Sequence, residues 1–281
     1  MNILFCGDGN IADGVLLSTL SLLEQVSEPL HIYLLTATIK RGSAIYEALP
    51  DGFAHFLAEL VEEHRPGSTV ERVDITRQFA AYLPQANMDT RFTPGCMLRL
   101  YADLLPELPE RLLYLDNDVL CRRDPTAFYQ QDMTDWELAG CLDYYGSWFF
   151  RRHPLRRDYL NSGVLLLNMA QIRRTGLFAA CRERCRTTVM FMPDQSALNK
   201  LAQRKKLCSR RYNEQRRLRR DTVFQHFTTG FRFFPWFRTV SVKPWNVEGM
   251  HTVLRVHAYD RLLEDYAREK RRYEEKERTT R

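Results

Sequence analysis

Asp116 and Asp118 stand one residue apart at the end of an apolar run, Arg111-Leu-Leu-Tyr-Leu115, that reads as a buried strand. Carboxylates this close repel unless a cation lies between them, and hard oxygen donors suit Mg²⁺ or Mn²⁺. In an open parallel sheet, ligands collect beyond the carboxyl ends of the strands, so the pair stands where a cation and a diphosphate would be held. The same residues also suit a plain turn, because Asp and Asn hydrogen-bond their own backbone there. A second loop follows the first apolar run: Gly7-Asp8-Gly9-Asn10-Ile11-Ala12 has the G-x-G-x-x-A spacing of a dinucleotide turn. That fingerprint expects an acid after the second strand to hold a ribose hydroxyl, and Thr36-Ala37-Thr38 stands there instead. The reading is a nucleotide at this loop, with Asp8 accepting from base or ribose, and not NAD. The sequence contains no G-x-x-x-x-G-K-[ST], which disfavours a P-loop NTPase.

These loops need strands beneath them. Strand-like runs at Ile3–Cys6, Leu30–Leu35, Val73–Ile75, Leu112–Leu115, Leu138–Leu142 and Val164–Asn168 are interspersed with helical patterns over Val15–Leu23, Ala44–Val61 and Leu98–Leu105. The alternation predicts an α/β fold with a parallel sheet wound by helices. A chain of 281 residues can bury one large core. The expected organisation is a nucleotide-binding core over about residues 1–170 and a less regular part over about 171–256. Residues 257–281 read as a charged helix with an apolar stripe of Leu262, Leu263 and Tyr266 that frays into solvent.

Composition narrows the class. At 44% hydrophobic and 12% aromatic residues, with no apolar run of bilayer length, the chain reads as globular and soluble. Its first residues lack a basic region, and Asp8 interrupts the short apolar run, so secretion is not expected. Seven cysteines, at 6, 96, 121, 141, 181, 185 and 208, form an odd and scattered set that suits reduced thiols in a cytoplasm. Cys181 and Cys185 share a helical face but lack partner ligands at zinc spacing. Net charge is +6, and nine Lys and Arg residues fall between Arg204 and Arg220 with Glu214 alone opposing them. Such a patch could meet the phosphates or carboxylates of nucleic acid, anionic lipid or an acidic glycan, or be a solvated loop and helix face.

Four segments, read in order, carry a resemblance. They are Asp8-Gly9-Asn10 after the first strand, Tyr114-Leu-Asp-Asn-Asp-Val119, Leu160-Asn161-Ser162-Gly163-Val-Leu-Leu-Leu-Asn168, and Pro193-Asp194-Gln195-Ser-Ala-Leu-Asn199. With Lys243-Pro244-Trp245 near the end, the chain resembles glycosyltransferase family 8, the retaining enzymes that include bacterial lipopolysaccharide galactosyl- and glucosyltransferases and glycogenin. The resemblance implies a single GT-A-like (Rossmann-like) domain over residues 1–256, with a mostly parallel central sheet and an irregular, helical C-terminal part. It implies transfer of a hexose, glucose or galactose, from a UDP-sugar to a glycan or lipid-linked glycan, by default lipopolysaccharide or another cell-surface polysaccharide.

Carried over residue by residue, the resemblance implies that Cys6, Asp8 and Asn10 line a uridine pocket. Asp116, Asp118 and His226 would hold Mn²⁺ (or Mg²⁺) on the diphosphate, with Asn117 beside the nucleotide sugar. His226 could equally be a satisfied core side chain. Arg99 would face the donor, although Asp103 at i+4 offers a plain salt bridge. Asp143 falls near the transferred sugar, Asn161 and Ser162 occupy the family's Asn-Ala-Gly position with Ser for Ala, and Asp194 and Gln195 fall beside the anomeric carbon. Asp194, after Pro193, could also cap a helix. Gln195 is a neutral amide and a poor nucleophile, so Asp194 or Asp143 is chemically more capable. The resemblance itself implies retention, for which same-face attack is favoured.

For Lys243 to reach a phosphate, the aromatic stretch Phe231–Phe237 must fold back; Arg232 or Arg238 is the alternative cation. That stretch could also stack on an acceptor sugar or touch a membrane. The expected location is cytoplasmic, with peripheral contact at the inner membrane face through the basic and aromatic C-terminal region and no nucleic-acid partner. Competing readings are a sugar nucleotidyltransferase, which normally wants a basic Gly-rich loop where Gly7-Asp8-Gly9 is acidic, an RNA-binding module using residues 204–220, and an inactive scaffold.

Overall fold

In a computed structural model of the chain, the described residues are 1–90, 94–144, 146, 158–232, 236 and 238–280, with only the backbone described at 231, 232, 238 and 280. Thirteen strands occur among them: β1 (Asn2–Gly7), β2 (His31–Thr36), β3 (Ile39–Arg41), β4 (Ala44–Tyr46), β5 (Thr69–Asp74), β6 (Arg111–Leu115), β7 (Val119–Cys121), β8 (Leu138–Leu142), β9 (Leu160–Asn168), β10 (Lys205–Cys208), β11 (Phe224–His226), β12 (Gly230–Arg232) and β13 (Arg238–Val240). Seven form one sheet in the order β10-β8-β9-β6-β1-β2-β5. β9 runs against both its neighbours, β6 and β8, while β1, β2, β5 and β6, and separately β8 and β10, pair in parallel. The sheet is therefore mostly parallel, and the reversal of β9 decides where the site lies. Carboxyl ends of β1, β6 and β8 and the amino end of β9 all reach the same rim.

Alternate side chains feed two cores. Ile3, Phe5, Leu113, Leu115, Val164 and Leu166 pack on one face with the helices Ala12–Gln25 and Asp51–His64. Leu4, Leu112, Tyr114, Leu165 and Leu167 pack on the other with the 3₁₀ helix Pro94–Leu104 and the helices Leu177–Thr187 and Pro193–Leu201. A buried sheet covered on both faces explains why these strands read as nearly continuous apolar runs.

Several elements differ from the sequence expectation. The helix expected over Ala44–Val61 is a β3–β4 hairpin followed by a helix that starts at Asp51, because Pro50 forces its predecessor away from helical angles and itself stands at ψ 144° before the first turn. The strand expected at Val73–Ile75 is β5, Thr69–Asp74, an edge strand whose polar alternation masks it. Within the 204–220 patch lie edge strand β10, paired in parallel with β8, a short 3₁₀ helix, Arg210–Tyr212, and a loop, and the patch wraps around Glu214. Fully buried Glu214 accepts from Arg210 at 2.5 Å and from the backbone N–H of Arg216 at 2.9 Å, and Arg219 pairs with it at 3.4 Å. Part of the basic patch thus neutralises an internal acid.

The C-terminal helix, Asp260–Thr280, does not fray; it docks. Residues 14–23 of the first long helix are buried on every side, which requires a second apolar surface over it. Leu262, Leu263 and Tyr266 supply that surface, while Tyr266 and Lys270 reach Asp13 at 2.7 and 2.9 Å and Arg272 forks onto Glu63. No described helix is long and apolar enough to cross a membrane.

Candidate active site

A cavity of about 910 Å³ opens at the rim where β1, β6 and β8 end and β9 begins. Cys6, Asp8, Asn10, Arg99, Asp116, Asn117, Asp118, Asp143, Asn161, Ser162, Asp194, Gln195, His226 and Lys243 all line it. The sequence scatters these residues over more than two hundred positions, and the topology gathers them.

Each arrives by a local device. After β1 the chain turns at Asp8, whose carboxylate caps the following 3₁₀ turn by accepting from the Asn10 N–H at 2.9 Å. The Asp116-Asn117-Asp118 turn joins β6 to β7, and β7 pairs antiparallel with β11 so that Val119 faces His226. This short ribbon is what brings an imidazole 108 positions downstream against the two carboxylates. His226 Nε2 lies 3.1 Å from Asp118 Oδ1 and 3.6 Å from Asp116 Oδ2. Gly163 at the start of β9 makes the approach possible: a Cβ there would fall 2.1 Å from His226 Cε1 and 2.7 Å from Asp116 Oδ2.

The electrostatics favour an ionised pair. Burial pushes the Asp118 carboxyl up, but His226 and Lys243 outweigh it and hold the group well below the usual carboxylate range. Burial likewise lowers the His226 imidazole, and adjacent Asp118 more than offsets this, leaving it above its ordinary value. Lys243 donates to Asp118 Oδ2. Asp118 Oδ1 is buried, and among the described residues the polar group against it is His226 Nε2, at 3.1 Å. The three ligand atoms of Asp116, Asp118 and His226 lie within 4.8 Å of one another, and an O, O, N donor set of this kind fits a divalent cation.

Arg99 is buried and fully engaged with the protein. Its guanidinium donates to Asp116 Oδ1 at 2.8 Å and the Ser162 carbonyl at 2.6 Å, lies 3.4 Å from Asp194 Oδ2, and stacks 3.9 Å from the centre of the Tyr114 ring. Asp103, the alternative partner, pairs with Arg182. Tyr114, its phenol pushed well up by burial, donates to the same Asp116 oxygen at 2.6 Å. Asp194 does not cap its helix. Met192 takes the capping position, and Asp194 turns to Arg99 and to the Ser162 hydroxyl at 3.2 Å.

Gln195 is pinned at both ends: its Oε1 accepts from the Ser162 N–H at 3.0 Å and its Nε2 donates to Asp143 Oδ2 at 3.0 Å. Asp143 also accepts from Asn161 Nδ2 at 2.9 Å and from the Gly146 N–H. The hairpin β12–β13 folds the chain back as Lys243 required, and Trp245 follows it into the cavity. Residues 233–235 and 237 of the aromatic stretch, and the side chains of Phe231, Arg232 and Arg238, lie outside the described residues; Trp236 is 82% exposed. Sequence reasoning missed Asn213, which is fully buried and contacts both His226 and Asn161. Its one signal was an uncharged residue amid arginines.

Residues 2–248 match the family described as glycosyl transferase family 8. Comparison with curated protein sequences gives no match. Among solved structures, the galactosyltransferase LgtC in complex with donor and acceptor sugar analogues is 20% identical, with a TM-score of 0.68 and 95% of each chain covered. An active-site mutant of LgtC gives 18% identity and 0.68 over 94% of each chain. The glycosyltransferase GlyE of Streptococcus pneumoniae TIGR4, in its apo form, is 18% identical at a TM-score of 0.61, covering 96% of this chain and 63% of that one. These similarities establish a shared GT-A-like fold, and with the near full-length family match the chain belongs to glycosyltransferase family 8.

Proposed function

We propose that this protein is a retaining hexosyltransferase that moves glucose or galactose from a UDP-sugar to a glycan acceptor such as lipopolysaccharide or another cell-surface polysaccharide. The observation that carries the reading is the convergence of Asp116, Asp118 and His226 ligand atoms within 4.8 Å of one another, in the same cavity as the Asp8 loop. Asp116, Asp118 and His226 hold Mn²⁺ or Mg²⁺; when bound, the cation supplies positive charge to the departing diphosphate. Cys6, Asp8 and Asn10 bind the uridine, and Asn117 lies beside the nucleotide sugar. Arg99 fixes Asp116 and Asp194 in place, and Lys243 adds a second cation at the phosphates.

The bond changes are those of retention, which the family resemblance implies. The anomeric C–O bond to the phosphate breaks as the acceptor oxygen bonds the same face, and the acceptor proton passes to the departing phosphate oxygen. Asn161 and Ser162 border the sugar, and Asp143, with Asp194 behind, supplies the negative charge that stabilises positive character at the anomeric carbon. Gln195, held by Ser162 and Asp143, orients the sugar instead of attacking it. Trp236, exposed at the hairpin, suits an acceptor sugar face or a membrane surface, which fits a cytoplasmic enzyme touching the inner face of a membrane.

The test is a panel of UDP-sugars with Mn²⁺, following slow UDP release without acceptor. One hexose donor should be hydrolysed, EDTA should stop it, and Asp116→Ala or Asp118→Ala should be inactive. Release from no UDP-sugar, or full metal-stimulated release by Asp118→Ala, would overturn the reading.

A further inference from the structure

Away from the cavity, a second set of metal-ligating atoms converges. His251 Nε2 lies 2.8 Å from Asp260 Oδ1, and His257 Nδ1 lies 3.4 Å from Asp260 Oδ2. One ligand atom from each of the three residues falls within 4.8 Å of the others. The two imidazoles are stacked with their centroids 4.7 Å apart and their planes at 17°, so one ring must turn about its side-chain bonds before both in-plane nitrogens meet a single ion. With Zn–N and Zn–O bonds near 2.0–2.1 Å, ligand atoms at the corners of a tetrahedron are separated by roughly 3.3 Å; the His257 spacing matches this, while His251 stands closer, at 2.8 Å, to the other carboxylate oxygen.

The backbone is built to hold this arrangement. His251 stands in a π-helical turn, Met250–Leu254, of a kind that recurs at functional sites. Arg255 then adopts the left-handed conformation at φ 55°, the one described non-glycine residue with positive φ, and reverses the chain so that His257 returns over His251. Such an outlier persists where the surroundings over-determine it. The returning loop is anchored on both sides of His257: Val256 N–H donates to the Met250 carbonyl at 3.0 Å, and Arg122 donates to the Ala258 carbonyl at 3.1 Å. Tyr259, buried, donates to Gln225 at 2.8 Å. None of these anchors uses an imidazole, so the backbone frame is fixed while the rings are left to turn onto an ion.

We propose that His251, His257 and Asp260 form a second, surface metal site for Zn²⁺ that clamps the π-helical turn to the first turn of the C-terminal helix. Two imidazoles and one carboxylate favour Zn²⁺, Ni²⁺ or Cu²⁺ over the harder Mn²⁺ by ligand type and by the order of first-row affinities, so the site is chemically distinct from the cavity. Solvent supplies the fourth position, since His257 is exposed. The clamp closes the segment that begins at Lys243 and Trp245, and it stands whether or not the proposed transferase activity does.

Untagged full-length protein is dialysed against Zn²⁺ and bound metal is counted. In an Asp116→Ala/Asp118→Ala background, one Zn²⁺ per chain should remain, with a raised melting temperature. Adding His251→Ala/His257→Ala should remove both. With Cu²⁺, the electron paramagnetic resonance spectrum should show coupling to two imidazole nitrogens, lost in the same variant. Should the cavity variant not fold, the loss of one Zn²⁺ per chain between wild type and His251→Ala/His257→Ala is the readout. Unchanged stoichiometry after the histidine substitutions, or no Zn²⁺ on the cavity variant when it is folded, would overturn the site.

Discussion

His226 Nδ1 lies 3.3 Å from Asn213 Oδ1, and the orientation of that amide traces back to the backbone. The Gly163 N–H donates to Asn161 Oδ1 at 3.0 Å, so Asn213 must present its Nδ2 to the same oxygen, at 2.9 Å, and turn Oδ1 toward His226. The imidazole then keeps its proton on Nδ1 and faces Asp116 and Asp118 with Nε2. Groups behind a metal-binding histidine usually set ligand geometry in this way. Asn213→Ala is expected to weaken Mn²⁺ binding about 10- to 100-fold. Mn²⁺ titration by electron paramagnetic resonance checks it, and an unchanged dissociation constant would show that the amide plays no such part.

Gly163→Ala inserts a methyl group where His226 and Asp116 already meet. β9 is paired on both sides and cannot retreat. The expected cost is about 1–3 kcal/mol of stability together with loss of the proposed Mn²⁺ binding. Urea unfolding and Mn²⁺ titration on the same sample separate the two effects.

Arg99 joins Asp116, Asp194 and the Ser162 carbonyl from a buried position. Arg99→Ala should destabilise by about 3 kcal/mol, because buried Asp194 loses its counter-charge while Asp116, a quarter exposed at the cavity, loses less. Arg99→Lys should rescue little, since one ammonium cannot replace a fork that reaches three partners. Thermal melts of both variants against wild type decide this; a Lys variant with wild-type stability would contradict it.

All seven thiols sit above their ordinary pKa because burial disfavours the thiolate, and Cys185 is pushed up to about 12. Above about pH 8.5 the unfolded chain releases these protons and the folded chain keeps them. The stabilising difference is therefore complete below that pH and lost as pH rises. Each of the buried Cys121, Cys141, Cys181 and Cys185 contributes a loss of roughly 1.4 kcal/mol per pH unit over that window. Stability measured by denaturant should fall steeply between about pH 9 and 11, and alkylation of the native thiols should stay slow at pH 8. Rapid labelling of Cys121 or Cys181 in folded protein would refute the assignment.

Leu263 is buried on the docked C-terminal helix. Leu263→Ala should cost about 2–5 kcal/mol, and Tyr266→Phe a smaller amount through the lost bond to Asp13. Denaturant midpoints measure both, and a neutral Leu263→Ala would mean the helix contributes nothing to the core.

Much of the fold and the site could be read from residue patterns where local chemistry decides. The apolar runs of β1, β6, β8 and β9 and the turns that follow Gly7 and Leu115 show in the sequence because burial on both faces and Asx-rich loops each leave a local mark. Direction leaves none: the run Leu160–Asn168 looks the same whether β9 runs parallel or antiparallel. The loop around Glu214 could not be read either, because a buried acid among arginines looks from sequence like one more surface charge. The docking of the C-terminal helix was present as an unused clue, a first helix too apolar to face water on any side.

That docking orders events in time. Asp13 and Tyr266 are 253 positions apart, so at about 5–20 residues per second a ribosome emits the helix bearing Asp13 on the order of tens of seconds before its cover. Through that interval the helix behind the Asp8 loop keeps one greasy flank bare. A nascent chain of this enzyme is consequently most in need of a chaperone while the helix bearing Asp13 is already made and the helix bearing Tyr266 is not.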